Sequence, residues 1–67
     1  MFQKTELKIA LVRRNMTFEE LANKVGIAPA TLHRKMSGTS DFYRDEIEQI
    51  RVVLNLSQEE VLNIFFA

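Results

Sequence analysis

The stretch Thr17–Gly38, TFEELANKVGIAPATLHRKMSG, decides the fold of this chain. Thr17 and Glu20 have the S/T-x-x-E spacing of a capping box, in which each side chain satisfies a backbone donor that the start of a helix leaves orphaned. Leu21, Ala22 and Val25 then fall on one helical face, and Leu32 and Met36 give a second helix its inward face. Between the two, Gly26 suits the φ > 0 conformation of a tight turn, and Ala22 is small enough to let the helices approach closely. Pro29 fits the first turn of the second helix, where its missing N–H costs nothing, so the corner is Gly26-Ile27-Ala28. Gly38 stops that helix. The consequence is a pair of short helices locked at a steep angle, the second held out from the body.

Upstream, the pattern predicts a helix over about Lys4–Arg14, with Leu7, Ala10, Leu11 and Arg14 on one face and Ile9 and Val12 widening the apolar stripe. Asn15 ends it, and Met16 is placed to staple onto Leu21. Downstream, Thr39–Phe42 reads as a polar connector, followed by a helix over about Tyr43–Leu54 with Ile47, Ile50 and Leu54 inward. Ser57 and Glu60 form a second capping box for a last helix, which turns Val61, Leu62 and Phe65 to one side and leaves Ile64 and Phe66 surplus to it. There is no strand-like alternation, repeat or low-complexity tract. The expected fold is all-α, a compact five-helix domain over residues 1–67.

A chain of 67 residues has room for one core and one job. With no cysteine there is no disulfide or thiolate metal site, and the single histidine, His33, cannot build a zinc site alone. Hydrophobic content of 46% with 27% charged residues suits a soluble fold. No apolar run approaches the roughly 20 residues of a membrane span. The start, MFQKTELK, lacks the apolar core of a secretory signal, so a cytoplasmic location is expected. With one histidine, no cysteine, two of its nine carboxylates in capping boxes and only two glycines, the chain offers no nucleophile–base pair and no phosphate-cradling loop. Neither an enzyme nor a cofactor is expected.

The net charge is zero, but the charge is unevenly spread. Residues 1–44 carry eight basic residues against four acidic, and residues 45–67 carry one basic against five acidic. The basic half contains the Thr17–Gly38 pair, as a partner rich in phosphate would require; the alternative is a chance split, since small helical domains often segregate charge.

With Thr17, Leu21-Ala22, Val25-Gly26-Ile27, Thr31-Leu32 and Ser37-Gly38 in this order, the chain resembles the Cro and lambda-repressor class of helix-turn-helix regulators of bacteria and phages. The motif covers residues 17–38, and the five-helix reading extends the likeness across nearly the whole chain. The tail from Phe42 onward resembles that of small phage-encoded members. Two positions depart from the family pattern. Phe18 stands where the family often has a phosphate-holding glutamine, so one backbone anchor is lost. Lys35 stands where the third helix usually has an aliphatic residue; either Met36 takes over the core role or the helix is slightly rotated.

The resemblance implies a third helix lying in the major groove of a double-stranded DNA operator, with Ala28, Pro29, Ala30, His33 and Arg34 toward the base edges. Arg34 is suited to bidentate contact with guanine, and Ala30 and Pro29 to a thymine methyl. His33 either contacts DNA or is simply solvated. Thr17, Thr31, Lys35, Ser37, Thr39, Ser40 and Arg44 are the candidates for phosphate, with backbone amides near Thr17 and Tyr43; the alternative is that Lys35 and Arg44 are ordinary solvated charges, and for Arg44 the two readings are even. Ile64, Phe65 and Phe66 are the candidate dimer contacts, since one helical face cannot bury all three; the alternative is that Phe65 caps the core while Phe66 frays.

The expected function is thus a Cro-like transcriptional repressor, acting as a homodimer and with another repressor as a candidate partner. The competing reading is an antirepressor or modulator that works by protein–protein binding through the acidic C-terminal half. The close at Phe65-Phe66-Ala67 reads as the end of a complete small protein, with a domain cut from a longer repressor as the alternative.

Overall fold

The computed structural model describes all 67 residues. It contains five helices and no strand: α1 Lys4–Arg13, α2 Phe18–Val25, α3 Pro29–Met36, α4 Arg44–Leu54 and α5 Gln58–Phe65. Both capping boxes form. Thr17 Oγ1 accepts the Glu20 N–H at 3.1 Å while the Glu20 carboxylate accepts the Thr17 N–H at 3.1 Å. Ser57 and Glu60 repeat the arrangement at 3.1 and 3.0 Å.

The first four helices share one kind of ending. Asn15, Gly26, Gly38 and Asn55 take left-handed backbone, with φ of 54°, 85°, 90° and 54°. The residue after each donates its N–H five residues back, Met16 to Leu11, Ile27 to Ala22, Thr39 to Arg34 and Leu56 to Arg51, at 2.9–3.0 Å. This closure satisfies carbonyls that a helix end otherwise leaves orphaned. Leu56 is buried and Met16 and Ile27 pack against the core, so each of these stops also seals the interior.

The core consists of Leu7, Ala10, Leu11, Leu21, Ala22, Leu32, Met36, Ile50, Leu54, Leu56, Ile64 and Phe65. α2 packs on both α3 and α4, and α1 packs on α5. Several expectations need correction. Ile9 is 39% and Val12 77% exposed, so the apolar stripe of α1 is narrower than its sequence suggests. In α5 the inward set is Ile64 and Phe65 with Val61 half-buried, whereas Leu62 faces out at 51% exposure. The helix is turned about its axis relative to the expected face. Phe42 does not belong to a polar connector: its ring lies 4.8 Å from that of Phe2 and 5.3 Å from that of Phe65. The extended N-terminus brings Phe2 there, because the Gln3 N–H donates to the Ile64 carbonyl at 2.6 Å and the Met1 amine to the Ala67 carbonyl at 2.8 Å.

Arg14 joins three elements. Its guanidinium donates to the Leu54 carbonyl through Nε, to the Ala10 carbonyl at 3.1 Å, and to both Glu60 carboxylate oxygens at 3.1 and 3.0 Å. The ends of α1 and α4 are thereby tied to the start of α5. No helix is long and apolar enough to cross a membrane.

The Ser57 N–H, more than the Arg14 guanidinium, holds the Glu60 carboxyl below its ordinary value of 4.5, against the opposing effect of desolvation. A carboxyl depressed in the folded state contributes stability that is fully present above its unfolded value and is lost as pH falls through the folded one. The melting temperature of the native chain should therefore fall on acidification below pH 4.5, more steeply than that of Glu60→Gln. Thermal melts of both between pH 7 and 3 check this, and parallel curves would remove Glu60 from the acid response.

Candidate nucleic-acid interface

α3 is eight residues long, with no acidic residue in its first turn and with His33, Arg34 and Lys35 in its last. Pro29 occupies its first turn and Ala28 is its N-cap, whose carbonyl accepts the Leu32 N–H at 3.1 Å. Leu32 and Met36 hold the inner side. The outer side therefore consists of Ala28, Pro29, Ala30, His33 and Arg34, and every one of them is exposed. The Arg34 guanidinium lies back along the helix and donates to Thr31 Oγ1 at 3.1 Å. One hydrogen bond uses one of five guanidinium donors, so the fork remains available for an external acceptor. The His33 ring sits 5.8 Å from that of Phe18, inclined at 59°. Phe18, which replaces the expected phosphate-holding amide, thus makes a contact between the two helices of the motif.

The groups proposed for phosphate divide. Thr17, Ser37, Thr39 and Arg44 are exposed, and Thr31 and Ser40 are half-buried. Arg44, the first residue of α4, takes part in no ion pair. Among the backbone amides near these helix starts, the Thr17 N–H is taken by Glu20 at 3.1 Å and the Tyr43 N–H by Glu46 at 2.8 Å. Glu19, Glu20, Asp45 and Glu46 also make those first turns acidic, which opposes an anion there.

Lys35 is the main correction. Only 5% of its side chain is exposed, and Nζ lies 3.0 Å from Glu46 Oε1. It also donates to the Asp41 carbonyl at 3.0 Å and rests 4.3 Å from the centre of the Tyr43 ring. Its ammonium is thus turned into the fold, toward Asp41, Glu46 and the Tyr43 ring, and not out to solvent where the sequence placed it. Met36 is buried as well, at 4%, so α3 accommodates both residues on its inner side. Lys35 and Arg14 are both spent on internal carboxylates, which makes the basic half less basic outside than its composition implies.

The dimer candidates also divide. Ile64 and Phe65 are 2% and 6% exposed and belong to the core, which removes them from any surface contact. Phe66 is 60% exposed. It flanks a shallow recess formed with Phe42, Arg44, Ile47, Glu48 and Val61. The sequence allowed one side of α5 to bury only part of this trio, but carried no sign of the extended N-terminal residues that place Phe2 against Phe65.

The family model for the Cro/C1-type HTH DNA-binding domain matches residues 6–66, nearly the whole chain. No curated protein and no solved structure matches it significantly.

Phe65→Ala should open a cavity beside Phe2 and Phe42 and destabilise the protein by about 3–5 kcal/mol, whereas Phe66→Ala should change stability by no more than about 0.5 kcal/mol. Urea unfolding of both variants distinguishes them, and equal losses would contradict the placement of these two rings.

Proposed function

This chain belongs to the Cro/C1-type family of helix-turn-helix DNA-binding domains, and we propose that it is a sequence-specific transcriptional repressor that reads an operator with α3. The observation that carries this reading is the outer side of α3, where Ala28, Pro29, Ala30, His33 and Arg34 stand exposed together and no acidic residue intervenes. Arg34 reads guanine through O6 and N7, and the small apolar surfaces of Pro29 and Ala30 suit a thymine methyl. His33, steadied by Phe18, contributes a further donor or acceptor. Thr17, Thr31, Ser37, Thr39, Ser40 and Arg44 set the position of the domain on the phosphate backbone without reading sequence. The protein acts in the cytoplasm by binding rather than by catalysis, covering a promoter against polymerase.

The footprint of one copy is small, and its charge gives little general affinity, so specific binding calls for two copies on a partly palindromic site. Half-sites one helical turn apart lie about 34 Å from each other. The molecule measures 27 × 24 × 20 Å, a width of the same order. Phe66, with Leu62 one turn earlier on α5, supplies the exposed apolar surface for such a pair. Phe66→Glu would set like charges across the two-fold axis. It should shift sedimentation toward the monomer and weaken operator binding while leaving the fold intact; unchanged sedimentation would remove Phe66 from the interface.

Selection from a random duplex library at physiological salt tests the whole reading. A palindromic motif with half-sites about one turn apart is the expected result. On that motif Arg34→Ala should lose about 10- to 100-fold in affinity, equivalent to roughly 1–3 kcal/mol, with a far smaller loss on random DNA. No enrichment, with binding that vanishes as salt rises, would transfer the weight to an antirepressor acting on a protein partner.

A further inference from the structure

We propose that Lys35 is a positioning residue for DNA binding: neutralised inside the protein, it fixes the connector Ser37–Tyr43 where that connector meets the phosphate backbone, without itself touching DNA. The inference rests on the DNA-binding reading above. It starts from an energetic oddity. A buried ion pair carries a desolvation cost that its attraction seldom exceeds, and an aliphatic side chain of similar volume would generally serve stability as well or better. Lys35 and Glu46, with side chains 5% and 13% exposed, form such a pair in a chain with few core residues to spare.

What the ammonium achieves, and an aliphatic group could not, is to hold polar backbone. Nζ fixes the Asp41 carbonyl at 3.0 Å and Glu46 at 3.0 Å. Glu46 passes the constraint on by accepting the Tyr43 N–H at 2.8 Å, and the Tyr43 ring closes over Nζ at 4.3 Å. The preceding residue of α3 grips the other end of the connector. The Arg34 carbonyl accepts the N–H groups of Thr39 and Ser40 at 3.0 and 3.3 Å and the Ser37 hydroxyl at 3.0 Å. Two neighbouring residues of the reading helix therefore hold the connector from both ends. Ser37 and Thr39, exposed and with hydroxyls 3.2 Å apart, belong to a segment that has no secondary structure of its own to stiffen it, and exposed Arg44 follows it as the first residue of α4.

Direct contact and positioning leave different signatures in salt. A lysine that neutralises a phosphate contributes about 0.9 to the slope of log affinity against log salt, and removing it flattens that slope. A lysine that only positions the connector changes affinity with the slope intact. The experiment compares the full chain with Lys35→Met on a mixed-sequence duplex at several salt concentrations, beside amide exchange at Thr39 and Ser40 in the protein alone. The expected result is exchange faster by about tenfold, affinity lower by about tenfold on all sequences, and an unchanged salt slope.

A slope flatter by about one unit would make Lys35 a direct phosphate ligand and overturn the proposal. Unchanged exchange at Thr39 and Ser40 would overturn it too, reducing the ion pair to packing. Should Lys35→Met fail to fold, Glu46→Gln keeps an acceptor for the Tyr43 N–H while removing the charge that holds Lys35, and carries the same readouts. If the native chain binds no duplex, the DNA-binding reading fails; the exchange comparison then separately decides whether Lys35 holds the connector.

Discussion

Ala22 has no exposed surface, and its carbonyl accepts the N–H groups of both Gly26 and Ile27, at 2.9 and 3.0 Å. The corner between α2 and α3 depends on that one small residue and on the left-handed turn that follows it, since a longer side chain at this point would push the helices apart. α3 is too short to be stable by itself, so its direction is supplied from outside. The corner fixes its start. Its far end is fixed by the connector, through the Arg34 carbonyl and the Lys35 ammonium. A helix held at both ends can leave most of its surface to a partner, and only Leu32, Lys35 and Met36 are buried.

Two ionic links perform different tasks. Arg14 and Glu60 meet at the edge of the molecule with side chains 24% and 29% exposed, so neither ion is far from water and the desolvation cost is limited. Their worth lies in reach, because Arg14 also takes the Leu54 carbonyl and so connects helices distant in sequence. Lys35 and Glu46 are more deeply enclosed and hold the junction between α3, the connector and α4. The first link adds cohesion to a small domain, and the second specifies the geometry of a segment whose own sequence would leave it loose.

What could be read from the sequence was local. Capping boxes act over three residues, helix stops over five, and Pro29 and Gly26 act at their own backbone, so Thr17, Glu20, Ser57, Glu60 and the corner are legible without knowing where the rest of the chain goes. The outer side of α3 was expected from the family resemblance rather than from any local rule. The errors arose where chain ends meet. Nothing near Phe42, Ile64 or Phe65 signals that Phe2 will lie against two of them, because that contact depends on the Gln3–Ile64 hydrogen bond across the whole length of the fold. Lys35 was misread for a related reason. A lysine normally points to water, and its enclosure requires Asp41, Tyr43 and Glu46 to converge from a connector and the next helix.

On the function proposed above, the internal use of Arg14 and Lys35 bears on how this domain would distinguish one DNA sequence from another. General affinity for DNA grows with the number of phosphates neutralised, and it is shared by every sequence. A chain of zero net charge that also spends two cations on internal carboxylates keeps this shared affinity low. Specificity is a ratio, so a low background enlarges the part played by contacts that depend on sequence. Such contacts act over short distances and need a rigid frame, because an error of about an ångström weakens a bidentate hydrogen bond but scarcely alters long-range attraction. In this molecule the same lysine that is withdrawn from the phosphates stiffens the frame from which Arg34 is presented, so the loss of one charge lowers background attraction and sharpens geometry together.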